Sequence, residues 1–279
     1  MKKRLKLLLK DRLAVFGIFI MLLLLLCLLF APLLASHSPS DQTRDRYSNP
    51  SKEHFFGTDK YGRDTFSRII YGTRVSLVIG VGSVLLGGLI GTILGIIAGF
   101  YGGGTDKIIM AITDFMMSFP SVLTGVIVLI ILGQGTYKLM IAIGIAFIPR
   151  FIRLTRADTL KIRNSEYILA AEALGASSLQ IIVKHILPNI SSSLLVMITL
   201  WAASGIRLEA GLSFLGLGAQ PPTPSWGLML KEGTTAILFT QWLAFFPGLA
   251  IFITILSFNF IGDTVRNIID PRLITDISK

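Results

Sequence analysis

Long apolar runs, broken at a few points by charge, set the pattern of this chain. Leu13 to Ala35 is uncharged and longer than the roughly 20 residues that cross about 30 Å of hydrocarbon. Val75 to Phe100 is a second such run, and Ile108 to Leu132 a third, interrupted by Asp114 and Pro120. Leu139 to Pro149 is apolar but short and ends at Arg150; Asn189 to about Gly216 and Leu243 to Gly262 complete the series. The pattern predicts an all-α polytopic membrane protein with about six transmembrane helices. The first run is too long for a cleaved signal's apolar core of about 7–15 residues, so it reads as a retained span.

Basic residues give the direction. Lys2, Lys3, Arg4, Lys6, Lys10 and Arg12 precede the first span and place the N-terminus in the cytoplasm. Arg150, Arg153, Arg156, Lys161, Arg163 and Lys184 form the next dense basic stretch. An even number of crossings must precede a cytoplasmic stretch, so Tyr137 to about Thr155 is counted as the fourth span, its arginines snorkelling at the inner end. Both termini are then cytoplasmic. The loop from Ser36 to Arg74 lies outside despite carrying Arg44, Arg46, Lys52, Lys60, Arg63, Arg68 and Arg74. The organisation expected is an N-terminal part over 1–74 (cytoplasmic segment, first helix, outer loop) and a transmembrane core over 75–279 with a cytoplasmic loop at about 156–189.

Composition agrees with the pattern. Of 279 residues, 52% are hydrophobic and 15% charged, with 27 glycines and a mean hydropathy of +0.71. Such values exclude a disordered chain and an ordinary soluble enzyme. The net charge of +10 fits basic cytoplasmic segments better than nucleic-acid binding. Cys27 is the single cysteine, so neither an internal disulfide nor a Cys-based zinc site is available.

Within the spans, Gly87, Gly91, Gly95 and Gly99 recur every four residues. On a helix they form one groove that admits a close neighbour, in this chain or another. Asp114, Arg207 and Glu209 are the intramembrane charges. Arg207 and Glu209, two residues apart, point about 200° apart and do not pair. Structural pairing is expected for Asp114; Glu209 is either paired or lines a path. Gly102, Gly103 and Gly104 lack the spacing of a phosphate loop. No histidine–cysteine cluster or serine-nucleophile elbow occurs, and His37, His54 and His185 lie far apart in sequence. No catalytic or metal site is read, and any energy source lies in another chain or an ion gradient.

The basic loop has its own pattern. Tyr167 to Leu174 reads as a short helix that Gly175 ends in a left-handed turn. Ala176, Ser177 and Ser178 offer a cap. Leu179, Ile182, Val183 and Ile186 form the apolar face of a second helix, and Pro188 opens the fifth span. Ala170, Ala171, Gly175, Leu187 and Pro188 resemble the "EAA" motif of permease subunits of binding-protein-dependent ABC importers. The motif's usual Glu is Leu169 here and its Ile position is His185, which leaves Glu166 and Glu172 as candidates for polar contact with an ATPase. Three more stretches resemble the dipeptide/oligopeptide/nickel branch: Phe56 to Leu77, Gly211 to Gly227, and Phe258 to Asp263 with Asp270 to Leu273.

The resemblance implies the type I importer permease fold and half of a translocation path for di- or oligopeptides, or a nickel chelate moved by the same machinery. It implies a homologous second permease, two ATPases that hold ATP and magnesium, and an extracytoplasmic binding protein. This chain would bind no cofactor itself. A rival reading, an ion-coupled secondary transporter, predicts inverted repeats with matched broken helices, and none is visible. Arg207 and Glu209 are the candidate substrate contacts. Asp59, Gly62, Arg63 and Asp64 read as an outer scaffold locked by Asx turns and arginine–carboxylate pairs. Pro221, Pro222 and Pro224 stiffen an outer loop that either meets the binding protein or merely joins two spans.

Overall fold

The computed structural model describes residues 12–269. The basic residues before Arg12 and the Asp270–Leu273 stretch lie outside the described residues. The described chain is helical: α1 (Arg12–Leu34), α2 (Thr65–Tyr101), α3 (Gly103–Met117), α4 (Ser121–Leu132), α5 (Thr136–Arg163), α6 (Glu166–Ala173), α7 (Ser178–Ile181), a π-helical turn (Ile182–Ile186), α8 (Leu187–Phe214), α9 (Trp226–Thr235) and α10 (Trp242–Ile269).

Four helical stretches are long and apolar enough to cross a membrane: α1, α2, the continuous stretch from Ser178 to Phe214, and α10. Helices α3 and α4 together make a fifth, bent by 95°. The third run, Ile108–Leu132, is thus broken next to Pro120, one of the two interruptions seen in the sequence. Ser118 Oγ bonds the Asp114 carbonyl and closes the last turn of α3. Pro120 supplies no N–H and restricts Phe119 before it, so the helix must restart at Ser121.

Packing, not hydropathy, identifies α5 as a crossing. The glycine groove of α2 lies against it: Gly87 faces Gly144 and Phe147, Gly91 faces Ile148 and Phe151, Gly95 faces Ile152 and Thr155, and Gly99 faces Arg156 and Thr159. Numbers rise together on both helices, so α2 and α5 run parallel. Over Gly87–Gly99 the shared seam is about 18 Å long at 1.5 Å per residue. Helix α5 thus traverses the same layer as α2 in the same direction, as the parity of the basic segments demands. The groove's neighbour is in this chain.

Helix α8 runs the other way along α2. Ile190 packs with Ile96 and Phe100, and Gly205 abuts the carbonyl of Gly80. Helix α1 is held at both ends. The Ser257 hydroxyl on α10 donates to Gly17 O at 2.6 Å. Near the other end Pro32, inside α1, leaves the Leu28 carbonyl without its helical donor. Arg74 of α2 takes that carbonyl through Nε at 2.6 Å and Leu29 O through Nη2 at 3.0 Å. An arginine that looked out of place in an outer loop is a helix cap.

Helix α2 begins at Thr65, ten residues before the predicted start, so the expected division at 74/75 falls inside a helix. Asp64 starts it, accepting the Ser67 N–H at 2.8 Å. Asp59, Gly62 and Arg63 lie in the segment just before it. Asp59 Oδ1 accepts the N–H groups of Tyr61 and Arg63, and its Oδ2 meets Arg63 Nε at 2.6 Å. Gly62, at φ +73°, packs against Thr43. Sequence did not show the fourth member of this cluster. Glu232 of α9 lies 3.0 Å from Arg68 Nη2 and 3.4 Å from Arg63 Nη2. Helix α9 itself occupies part of what read as a plain outer loop. Ser225 caps it, and Trp226, fully buried, donates to Ile69 O at 3.1 Å.

Two outcomes follow from this packing. A Cβ on Gly91 would lie 2.5 Å from Phe151 Cβ and 2.7 Å from Ile148 O. Gly91→Ala should cost about 1–3 kcal/mol and lower the melting temperature of the purified protein in detergent. Gly82→Ala meets only the end of Met140 and should change it little; equal melting of both would refute the seam. Glu232→Ala leaves Arg68, 1% exposed, one carboxylate short. Loss of a buried ion-pair partner costs about 3–5 kcal/mol. Trypsin should then cut faster at the exposed Arg44 and Arg46, and an unchanged digestion rate would count against the cluster.

Candidate functional site

The basic end of α5 leads into the segment singled out by the sequence. Ser165 opens α6, and the helix ends as predicted at Gly175, with φ +85°. Gly175 N–H bonds the Glu172 carbonyl at 2.9 Å and Ala176 N–H bonds the Ala171 carbonyl at 3.0 Å. These are the two bonds of a Schellman turn. Ser177 then caps α7 through the Gln180 N–H.

The apolar face of the next helix differs from expectation. Leu179 and Val183 are exposed, at 71% and 51%, while Ile181, Ile186 and Ile190 are buried. The π-helical turn is the reason. In a regular α-helix residues 181 and 186 stand about 140° apart; an i→i+5 turn brings them onto one side. Periodicity of 3.6 could not reveal this. Of α6, only Ile168 is buried. Glu166, Ala170, Glu172, Leu187 and Pro188 are exposed, and Ala171 and His185 half-buried. His185 lies beside Tyr167, ring centroids 6.3 Å apart, and Asn189 Nδ2 donates to the His185 carbonyl at 2.6 Å. Leu174, 89% exposed, is uncovered like Leu179 and Val183. The tip is thus a capped helix pair with uncovered aliphatic side chains and two exposed carboxylates.

Two carboxylates of α3 receive arginines of the inner half of α5. Arg156 grips Asp106 with Nε and Nη2, both at 2.5 Å, in a fork. Arg153 meets Asp114 at 2.7 Å with both side chains largely exposed, a pair worth little by itself. Asp114 is paired as expected, but on α3 before the bend.

The two candidate path residues part company. Arg207 is exposed. Glu209 is fully buried and accepts the Ser213 hydroxyl at 2.8 Å, with Ser76 and Ser225 alongside. It faces the junction of α2, α8 and the start of α9, not an open surface. The histidines also behave unexpectedly. His37 and His54, distant in sequence, have ring centroids 5.0 Å apart with the planes tilted by 35°, and His54 Nδ1 lies 3.0 Å from Asp64 Oδ1. They tie the end of α1 to the cap of α2.

Comparison with known proteins accords with this geometry. Residues 91–275 match the family described as the binding-protein-dependent transport system inner membrane component. Residues 2–51 match the N-terminal transmembrane domain of oligopeptide transport permease C. The dipeptide transport system permease protein of Alkalihalophilus pseudofirmus is 43% identical over 265 residues, covering 95% of this chain and 87% of that one. The glutathione transport system permease protein of Pectobacterium atrosepticum is 43% identical, covering 92% and 86%. The oligopeptide transport system permease protein of Bacillus subtilis is 40% identical, covering 94% and 87%. An inward-facing structure of a methionine ABC transporter aligns with a TM-score of 0.60 at 20% identity, over 73% of this chain and 97% of that one; it shares the fold. The chain therefore belongs to the binding-protein-dependent transport system inner membrane components, a permease subunit of an ABC importer and not itself an enzyme.

Proposed function

We propose that this subunit forms half of the path by which an importer moves short peptides across the inner membrane. It pairs with a homologous permease, two ATPase subunits that hold ATP and magnesium, and an extracytoplasmic binding protein. Peptide cargo is supported by the relatives, whose names give dipeptide, oligopeptide and glutathione transport. Glutathione is itself a short peptide, so the three share a cargo chemistry. The observation that carries the mechanical reading is the tip. A short helix stopped by a Schellman turn holds Leu169, Leu174, Leu179 and Val183 out from the bundle. Such a surface suits a cleft in an ATPase, with Glu166 and Glu172 as polar contacts and Ala170 and Ala171 allowing close approach.

The basic residues at this end favour a cytoplasmic tip, and the run of the helices agrees. Helix α1 starts, and α10 ends, on the same side as α6, which supports the reading of both termini as cytoplasmic. The opposite loop's cations do not contradict this. Arg63, Arg68 and Arg74 are committed to Asp59, Glu232 and the α1 carbonyls. ATP-driven closure of the ATPases would move the tip and, through Ile168, Ile181 and Ile186 packed on Ile96 and Phe100, the inner ends of α2 and α8. Outer contacts with a binding protein would fall on Pro221 and Pro222, both exposed.

Leu174→Asp and Gly175→Val test the tip. Leu174 touches nothing that holds the fold. A β-branched residue at φ +85° breaks the turn. Both variants should reach the membrane, and both should lose peptide uptake by about tenfold or more while basal ATPase activity of the complex persists. Wild-type uptake by both would end the docking reading.

A further inference from the structure

Three arginines descend the inner half of α5 at intervals of three residues. Arg153 and Arg156 have carboxylates. Arg150, the one furthest from the cytoplasmic end, has none among the described residues. Its Nη2 donates to the Ser121 hydroxyl at 2.8 Å and its guanidinium lies 5.4 Å from the Phe147 ring centroid. A guanidinium carries five N–H donors and does not deprotonate in proteins. Half-buried at membrane depth, it requires an anion or water.

Arg150 faces a cavity of about 370 Å³. The cavity lies at the break between α3 and α4, where the backbone leaves the helix at Phe119 and Pro120. Irregular backbone at this depth is tolerated where it lines a protein cavity. Ser118, Ser121 and Thr124 contribute hydroxyls; Met116, Ala146 and Pro149 contribute apolar wall. The volume falls at the lower end of the roughly 300–1,000 Å³ of small-ligand pockets, and the lining offers a few directed polar groups.

We infer that this cavity is a subsite for a free carboxylate of the transported molecule, with Arg150 as its receptor. The inference deepens the peptide-import reading and rests on it. Dipeptides, oligopeptides and glutathione differ in side chains and length but share a terminal carboxylate, so one fork-shaped donor serves them all. Arg150 recognises a feature common to the cargo, and the apolar wall tolerates what varies. Its neighbours, exposed Arg153 and half-buried Arg156, already hold Asp114 and Asp106, so of these three arginines Arg150 is the one left to seek an acceptor.

The test uses the complete importer in proteoliposomes with its binding protein at saturation. Uptake of dialanine is compared with uptake of dialanine amide, each normalised to its occupancy on the binding protein. Wild type should prefer the free acid by about tenfold or more, the scale of a lost charge-assisted pair. Arg150→Gln should abolish that preference by lowering free-acid uptake to the level of the amide. Arg150→Lys should keep a weakened preference. Ala146→Leu fills the cavity without touching the charge and should cut uptake of both.

Arg150→Gln with its preference intact would overturn the inference. So would loss of the second permease on purification, which would assign Arg150 to a carboxylate of the partner, or a preference that instead tracks the phosphatidylglycerol content, which would assign it to a lipid phosphate. Wild-type uptake by Ala146→Leu would equally overturn it. A wild-type complex that moves neither peptide would overturn the peptide reading itself, and the inference with it.

Discussion

The parallel contact between α2 and α5 is the constraint on which the rest of the molecule depends. In lipid, helices gain little from burying apolar side chains against each other, because the surrounding tails are equally apolar. Association must come from close approach. Four glycines at four-residue intervals remove the Cβ atoms from one face of α2 and let the backbone of α5 fill the space. Because the contact is parallel, α3 and α4 have to return the chain across the membrane between them. The bend at Ser118–Pro120 is where they do so. The seam therefore fixes where the broken helix, its cavity and the three arginines lie.

Charge is handled differently on the two sides. On the outer side, Arg63, Arg68, Asp59 and Glu232 are nearly buried and bind a loop before α2 to a helix some 170 residues later. Such a cluster is rigid because loss of any member leaves a buried charge uncompensated. On the inner side, Arg153 and Asp114 are exposed and their pairing is weak. The two ends of the helical bundle therefore hold their charges with different strength.

The tip shows how a local irregularity serves a surface. The π-helical turn puts Ile181, Ile186 and Ile190 together on the core side. On the opposite side Leu179 and Val183 are left exposed. One change of register thus anchors the segment and uncovers its aliphatic side chains. Proline at the start of α8 causes no break, since the first helical positions need no N–H partner.

Sequence by itself determined the all-helical class, the glycine groove, the turn at Gly175 and the family. These are written in local periods and short spacings: 3.6-residue apolar patterns, four-residue glycine steps, a left-handed turn that glycine alone enters without strain. Tertiary structure decided what depends on distant partners. Glu232 joins Arg68, Arg74 takes the carbonyl that Pro32 frees, and the two histidines meet at Asp64, over separations that no local pattern encodes. Burial of Glu209 and the isolation of Arg150 belong to the same class. Whether a charge in a span is satisfied depends on the neighbouring helix, and its position in the chain does not contain that information.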